Sequence, residues 1–474
     1  MGKDHRKCLE CLLSSRNPRI STFSEPPGAR STAIGTPRIS TFDQVLEYHD
    51  SVSSPDPVTT RRERLRRAAL PDPGPLRTLT KATLANTIGN GLYYTVEVIF
   101  FTRSVGLSVH RVALGLGIAA VAGLLVSIPA GHQADRFDPR FIVGAATAGE
   151  GVVMACFTLV HSFVPFLLLG IVAGALGGAN GAARSTLMGR FGKGEERVRI
   201  RAYQRAVTNL GMSFGIVLSG VGLALDTRIA YVAMVLGNAL TFMVAAAFVL
   251  RLPPMRPVAL GEGERRAPMM VVLRDRRYLI ASLLNGLFAT HFIIQSVALP
   301  LWIIDDTRAP RWWVAVLLVI NTLMVITLQV RTSRGSGDVV RAARIFLRSG
   351  LLIAVACVLY SLASGLNPIV ACAILVLAMA AHTFGELYSS GASWGIGYGL
   401  ARDDLQGQYQ GAFSLGWGIS GVIGPSLVTA AAISLGRVGW LILAGFFLVV
   451  GAAFTPLVAS YHRAGLIAPK PVPL

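Results

Sequence analysis

Charge is scarce in this sequence. Of its 474 residues 15% are charged and 53% hydrophobic, where an average soluble domain has about a quarter of its residues charged. Long polar stretches are missing as well: apolar runs recur at short intervals from residue 82 to residue 460. Several separate soluble domains are thereby excluded, and one continuous membrane domain is implied. Cysteine is sparse. Cys156, Cys357 and Cys372 lie in apolar runs and Cys8 and Cys11 in a polar segment, too scattered for a disulfide framework. His5, Cys8 and Cys11 have metal-like spacing without a second ligand pair, so no zinc site is expected. No phosphate-cradling loop is present, since Gly192 and Lys193 are followed by Gly194 where Ser or Thr is required. No catalytic constellation stands out either, and neither an enzyme nor a cofactor is expected.

A helix needs about 20 apolar residues to cross the hydrocarbon, because unpaired backbone groups are not tolerated there. Runs of that length fall at about 82–103, 111–131, 141–161, 165–187, 204–225, 229–250, 278–304, 312–330, 345–364, 367–392, 408–434 and 437–460. The expected fold is therefore all-α and integral to the membrane, with twelve transmembrane helices. Acidic residues are few, 25 against 44 Lys and Arg, for a net charge of +19. Leaving out the N-terminal segment, alternate connections hold 23 Lys and Arg on one side and 6 on the other. Positively charged loops stay cytoplasmic, which places both termini there. The excess charge then reflects topology and attraction to anionic lipid, and no nucleic-acid partner is needed to explain it.

Residues 1–80 read as a disordered basic cytoplasmic tail, rich in Ser, Thr, Pro and Arg, with Pro-Arg-Ile-Ser-Thr-Phe at Pro18 to Phe23 repeated at Pro37 to Phe42. Thr60-Arg61-Arg62 loosely resembles a twin-arginine signal, but no short apolar region with a cleavage site follows. The segment 251–277 is polar and carries seven arginines. It reads as a cytoplasmic linker between two pseudo-symmetric six-helix bundles, 81–250 and 278–460, followed by a tail at 461–474. Paired bundles of this kind hold substrate near the midplane and alternate access by rocking.

Ionisable residues inside a membrane are costly unless they face an aqueous cavity or a partner. Glu97, Glu150, Glu386, His291 and His382 fall inside spans, with Arg184 late in span 4. Asn86, Asn90, Tyr93 and Glu97 step by four, three and four residues and so share one helical face. His382, Glu386, Ser389 and Ser393 repeat the pattern on span 10, and His291 with Gln295 forms a shorter pair on span 7. The two stripes lie in opposite halves, as a central cavity needs. Glu97 and Glu386 are the candidates for proton coupling; Asn86, Asn90, Tyr93, His291, Gln295, His382 and Ser389 are candidates for the substrate cavity. Glu150 reads as structural, and Arg184 either snorkels to the inner interface or contacts substrate.

The connection between spans 2 and 3 runs from Gly131 through His132, Gln133, Ala134, Asp135, Arg136, Phe137, Asp138 and Pro139 to Arg140. It resembles the signature loop of the major facilitator superfamily, in particular that of its bacterial, drug-efflux-like transporters, and the resemblance extends over residues 82–460. It implies that Gly131 and Asp135 pack against the start of span 11 and hold an outward-open state, with Arg136 and Arg140 completing a conformational-gating loop. Asp138 and Pro139 replace the family's usual Gly and basic residue. The corresponding loop between spans 8 and 9 keeps Arg331 and Arg334 but has no Asp-Arg pair. Glycines 170, 174, 177, 178 and 181 on span 4, and 411, 416, 418, 421 and 424 on span 11, bring helices close. The reading is a secondary active transporter, a monomer in the plasma membrane that exports small amphipathic molecules in exchange for protons. Nutrient symport is the alternative, and a membrane sensor or enzyme on the same scaffold is less favoured.

Overall fold

The structure, a computed structural model, describes residues 74–255 and 267–465. The repeated hexapeptide, the Thr60-Arg61-Arg62 stretch, the group at residues 5, 8 and 11, and the centre of the 251–277 linker lie outside them. The described residues form twelve long helices: α1 Pro75–Ile99, prolonged by a π-turn at Phe100–Ser104; α2 Val109–Arg136; α3 Pro139–Phe157; α4 Phe163–Gly189; α5 Gly194–Leu225; α6 Arg228–Leu250; α7 Arg276–Asp306; α8 Trp313–Thr332; α9 Val339–Leu362; α10 Pro368–Gly399; α11 Gln406–Thr429, prolonged by a π-turn at Ala430–Ser434; and α12 Gly436–Arg463.

Eleven of these are long and apolar enough to cross a membrane; α1 has the length but not the apolar composition. Local chemistry fixes many of the starts. Pro75, Pro139 and Pro368 open helices where no backbone donor is needed. Asp138, Asp275, Asp338 and Asn367 accept the first free amides of α3, α7, α9 and α10. Several helices run past the hydrocarbon limit read from the apolar runs. Thus α1 begins at Pro75, inside the segment expected to be tail, and α5 begins at Gly194, ten residues before its apolar run. Helix length is set by caps and packing, whereas an apolar run reports only the part in lipid.

The packing pattern repeats with an offset of six helices. In the first half α1 packs on α5 and α6, α2 on α4, and α3 on α4 and α6; in the second, α7 packs on α11 and α12, α8 on α10, and α9 on α10 and α12. Contacts between the halves obey the same symmetry, with α2 on α11 matched by α8 on α5, and α4 on α11 matched by α10 on α5. Two pseudo-symmetric six-helix bundles are the result. Lipid tails are as apolar as the helices, so close approach must hold the bundles together. A methyl added to Gly174 or Gly178 of α4 would strike the carbonyl oxygens of Ala119 and Gly123 on α2. Large apolar side chains such as Leu125, Val217 and Val449 remain mostly exposed, forming the surface that a bilayer covers.

Candidate functional site

Helix α1 supplies the first wall of a cavity of about 850 Å³ between the halves. Thr83, Thr87, Asn90 and Tyr94 step by four, three and four residues and face it, with Asn86 at the edge. This stripe is turned slightly from the one read in the sequence. Tyr93 lies in the apolar core of the first half with Val96, Phe100 and Phe157, and its neighbour Tyr94 faces the cavity, 60% exposed. Glu97 lies three residues further toward the C-terminal end of α1, outside the cavity lining.

The other walls of the first half come from α3, α4 and α5. Glu150 lines the cavity and accepts a bond from Asn180 Nδ2 at 2.6 Å. Arg184 also lines it and donates to Thr83 Oγ1 at 2.5 Å. Its guanidinium is therefore turned into the protein, not out to the interface. Gly177 and Gly181 face the cavity while Gly174 and Gly178 face α2, so the glycines of α4 serve two surfaces. Arg201, Gln204, Arg205, Thr208 and Met212 form the stripe contributed by α5. Arg201 and Arg205 were counted among the loop charges that set orientation, but they sit well inside α5. Removing both leaves the charge asymmetry intact.

The second half contributes Phe292 of α7, Trp394 of α10 and Trp417 of α11. Phe292 and Trp417 lie 5.2 Å apart between ring centroids, and the Arg205 guanidinium lies 5.3 Å over Phe292. Arg205 also crosses to α10. Its Nη2 is 2.5 Å from Glu386 Oε1, and its Nη1 donates to Ser390 Oγ. The second carboxylate oxygen accepts from Gln295 Nε2 at 3.0 Å and from Asn321 Nδ2 at 2.8 Å. Glu386 is thus gripped by α5, α7 and α8 together.

One turn away, His382 Nε2 is 3.3 Å from His291 Nδ1, and each ring has a hydroxyl at 3.5 Å, Tyr360 Oη for His382 and Ser389 Oγ for His291. This buried chain runs through the second half behind the cavity wall. The structure therefore brings His291, Gln295, His382, Glu386 and Ser389 together, and Asn86 with Asn90 in the opposite wall. Arg205, Arg201, Asn321, Trp394 and Trp417 were not singled out in the sequence. Arg197, Arg201 and Arg205 do show the four-residue spacing of a helical face, but a loop-charge count absorbs any arginine near a span end.

The halves are sealed at one end, the end that carries the signature loop. Asp135 accepts the amides of Gly407 at 2.6 Å and Gln408 at 3.0 Å, at the start of α11. Beside it Gly131 and Gly407 approach so closely that a Cβ on either would strike the carbonyl oxygen of the other. Arg140 bonds Asp138 at 2.9 Å and the Leu252 carbonyl at 2.6 Å, tying α3 to the end of α6; Arg136 follows Asp135 as the last residue of α2. Tyr398 of α10 donates to the Ser185 carbonyl at 2.8 Å and accepts from Arg201 Nε at 2.9 Å. Across the symmetry-related contact, Glu195 accepts the amides of Gly335 at 2.7 Å and Gly337 at 2.9 Å, in the loop between α8 and α9. At the opposite end, the segments 100–104, 299–306 and 430–434 pack against helices of their own half.

Two symmetry-related helical bundles, joined at one end around a central polar cavity, make a secondary transporter. The chain belongs to the Major Facilitator Superfamily, whose family model matches residues 80–425. It is similar to the uncharacterized MFS-type transporter YdeE of Escherichia coli (strain K12), at 25% identity over 359 residues that cover 72% of this chain and 86% of that protein. Among solved structures, a bacterial homologue of the iron transporter ferroportin in its outward-facing state matches with a TM-score of 0.63 at 12% identity, covering 82% of this chain and 99% of the other. The transporter FucP in the outward conformation matches with a TM-score of 0.62 at 15% identity, over 81% and 98%. The human organic anion transporter MFSD10 (TETRAN) gives 0.59 at 15%, over 80% and 98%. At such identities the likeness is one of fold. Family and relatives are transporters, which sets the enzyme reading aside.

Proposed function

We propose that this transporter exports small amphipathic molecules in exchange for protons, and that the ion pair between Arg205 and Glu386 couples the two flows. The observation that carries the reading is the position of that pair. It joins α5 of one half to α10 of the other beside the cavity, so a proton on Glu386 removes the charge that holds the halves together there. Ligands can shift a two-state protein only through such differential contacts. With the signature loop cytoplasmic, as the charge bias indicates, the seal lies inside and the cavity faces outward. A proton taken from outside would loosen the seal, and the inward-facing form could then release the proton and load substrate. Gly131 and Asp135 act in this cycle as the latch of the outward-facing state.

A plasma-membrane protein with both termini cytoplasmic follows from the same charge bias. A reporter fused after Leu474 and one inserted near Gly263 are expected inside, and one inserted near Asp306 outside. Any of the three on the wrong side overturns the orientation.

The transport test uses proteoliposomes with an imposed pH gradient and a panel of amphipathic compounds. Adding a transported compound should discharge the gradient, with compound and proton moving in opposite directions. Movement in the same direction would instead establish the symport alternative. Glu97 lies on the outer approach to the cavity and is the second candidate carboxylate. Glu97→Gln is expected to slow the discharge without abolishing it; an unchanged rate per folded molecule would leave Glu97 a structural residue.

A further inference from the structure

The two walls of the cavity differ in chemistry, and their charges do not balance. Arg184, Arg201 and Arg205 all line it. Two carboxylates face them, Glu150 on the lining and Glu386 bonded to Arg205. One positive charge is left over even with both carboxylates ionised. Arg201 is the clearest case, for among the described residues its bonds go to neutral oxygens, Ser185 Oγ at 2.8 Å and Tyr398 Oη at 2.9 Å. Arg184 donates to a hydroxyl, that of Thr83, with the Glu150 carboxylate near enough to act on its charge. A guanidinium held partly buried in a cavity without a carboxylate partner is costly, and an anion entering the cavity would lower that cost.

A second observation comes from the amide side chains. Asn180 is 9% exposed, but its Nδ2 is taken by Glu150 and its unpartnered Oδ1 can only accept, so it offers an anion nothing. The buried Nδ2 of Asn86, on the lining, is a donor without a partner. Buried polar groups are ordinarily bonded, so the first-half wall has hydrogen-bonding capacity in reserve. Opposite it stand Phe292, Trp394 and Trp417 of the second half, which offer flat apolar faces.

We infer that the transported molecule is an organic anion with a flat apolar body, its carboxylate or sulfonate held by Arg184 and Arg201 and its ring system laid against Phe292, Trp394 and Trp417. The inference rests on the transporter reading of this cavity but needs neither export nor proton coupling. Lipophilic cations are excluded by the same charge imbalance.

The test measures equilibrium binding to the purified full-length protein with tritiated 2-naphthoate as probe and no gradient, so a failure of proton-driven export leaves it untouched. Unlabelled 2-naphthoate and 2-naphthalenesulfonate should displace the probe. The neutral 2-naphthamide and the cationic 2-naphthylmethylammonium, which carry the same ring, should compete roughly tenfold less well or worse. Arg201→Gln and Arg184→Gln should each weaken the probe by about tenfold, in samples shown folded by gel filtration, and Arg201→Lys should retain more affinity than Arg201→Gln. The inference is overturned if the ammonium competes as well as the carboxylate, if no aromatic anion binds, or if both Gln variants bind the probe like the parent.

Discussion

Glu386→Gln should abolish accumulation driven by a pH gradient while leaving downhill equilibration of the same compound in place. Gln has the shape of a protonated carboxyl and can still accept from Arg205, but it cannot change charge. The carboxylate is held by Arg205 at 2.5 Å, Asn321 at 2.8 Å and Gln295 at 3.0 Å. Three helices therefore feel whether it is ionised. Charge-assisted bonds are each worth about 1.5–3 kcal/mol, which is enough to move a two-state equilibrium by roughly an order of magnitude or more. Gradient-driven uptake into proteoliposomes, normalised to folded protein, should fall roughly tenfold or further. A role confined to holding the bundle predicts a different result, namely a lower unfolding temperature with gradient-driven transport per folded molecule retained. That outcome would remove Glu386 from the coupling scheme. Arg205→Gln supplies a check, because it strands the carboxylate without its cation. Breaking a buried pair from one side costs about 3–5 kcal/mol, so this variant should be the less stable of the two.

The second large effect is expected at Gly131. A Cβ there would strike the Gly407 carbonyl oxygen, which is backbone and cannot swing aside. Gly131→Val must push the loop ends of α2 and α11 apart, and Asp135 would then lose the amides of Gly407 and Gln408. Overpacking costs about 1–3 kcal/mol, and the population of the sealed form should fall about 5- to 150-fold. A single cysteine placed at Tyr94 reports on the outcome through its reactivity with a membrane-impermeant reagent added outside. Reactivity should drop sharply in Gly131→Val. Equal labelling in variant and parent would mean that α2 and α11 do not set the balance.

The periodic apolar runs made the twelve helices legible, because lipid imposes a length on every span, and the Gly131 to Arg140 loop made the family legible. Much of the cavity was legible too. Residues as far apart in sequence as Gln295 and Glu386 could be chosen because polarity inside a span is costly wherever it occurs. What stayed hidden depends on helix rotation and on pairing across the halves. A stripe that includes Tyr93 differs from one that includes Tyr94 by a fraction of a turn, and only tertiary packing decides between them. Arg201 and Arg205 were invisible for another reason. Near the end of a span an arginine satisfies the positive-inside rule whether it reaches the surface or turns into the cavity, and the partners that reveal the difference, Tyr398 and Glu386, lie 197 and 181 residues away.

Both carboxylates that clamp the sealed end, Asp135 and Glu195, belong to the first half, and both grip main-chain amides of the second. The loop between α8 and α9 joins the seal through its amides, while its own acid, Asp338, is turned to the start of α9; the carboxylate that bridges the halves here comes from the start of α5. Main-chain amides are encoded by every residue except proline. The second half is therefore constrained at these positions by space and backbone angle and not by side-chain charge: a Cβ at Gly407 would strike the Gly131 carbonyl oxygen, one at Gly337 would meet the Glu195 backbone, and Gly335 has a φ of 82°. The loop without the Asp-Arg pair still takes part in the seal, because the contact it makes needs only its amides.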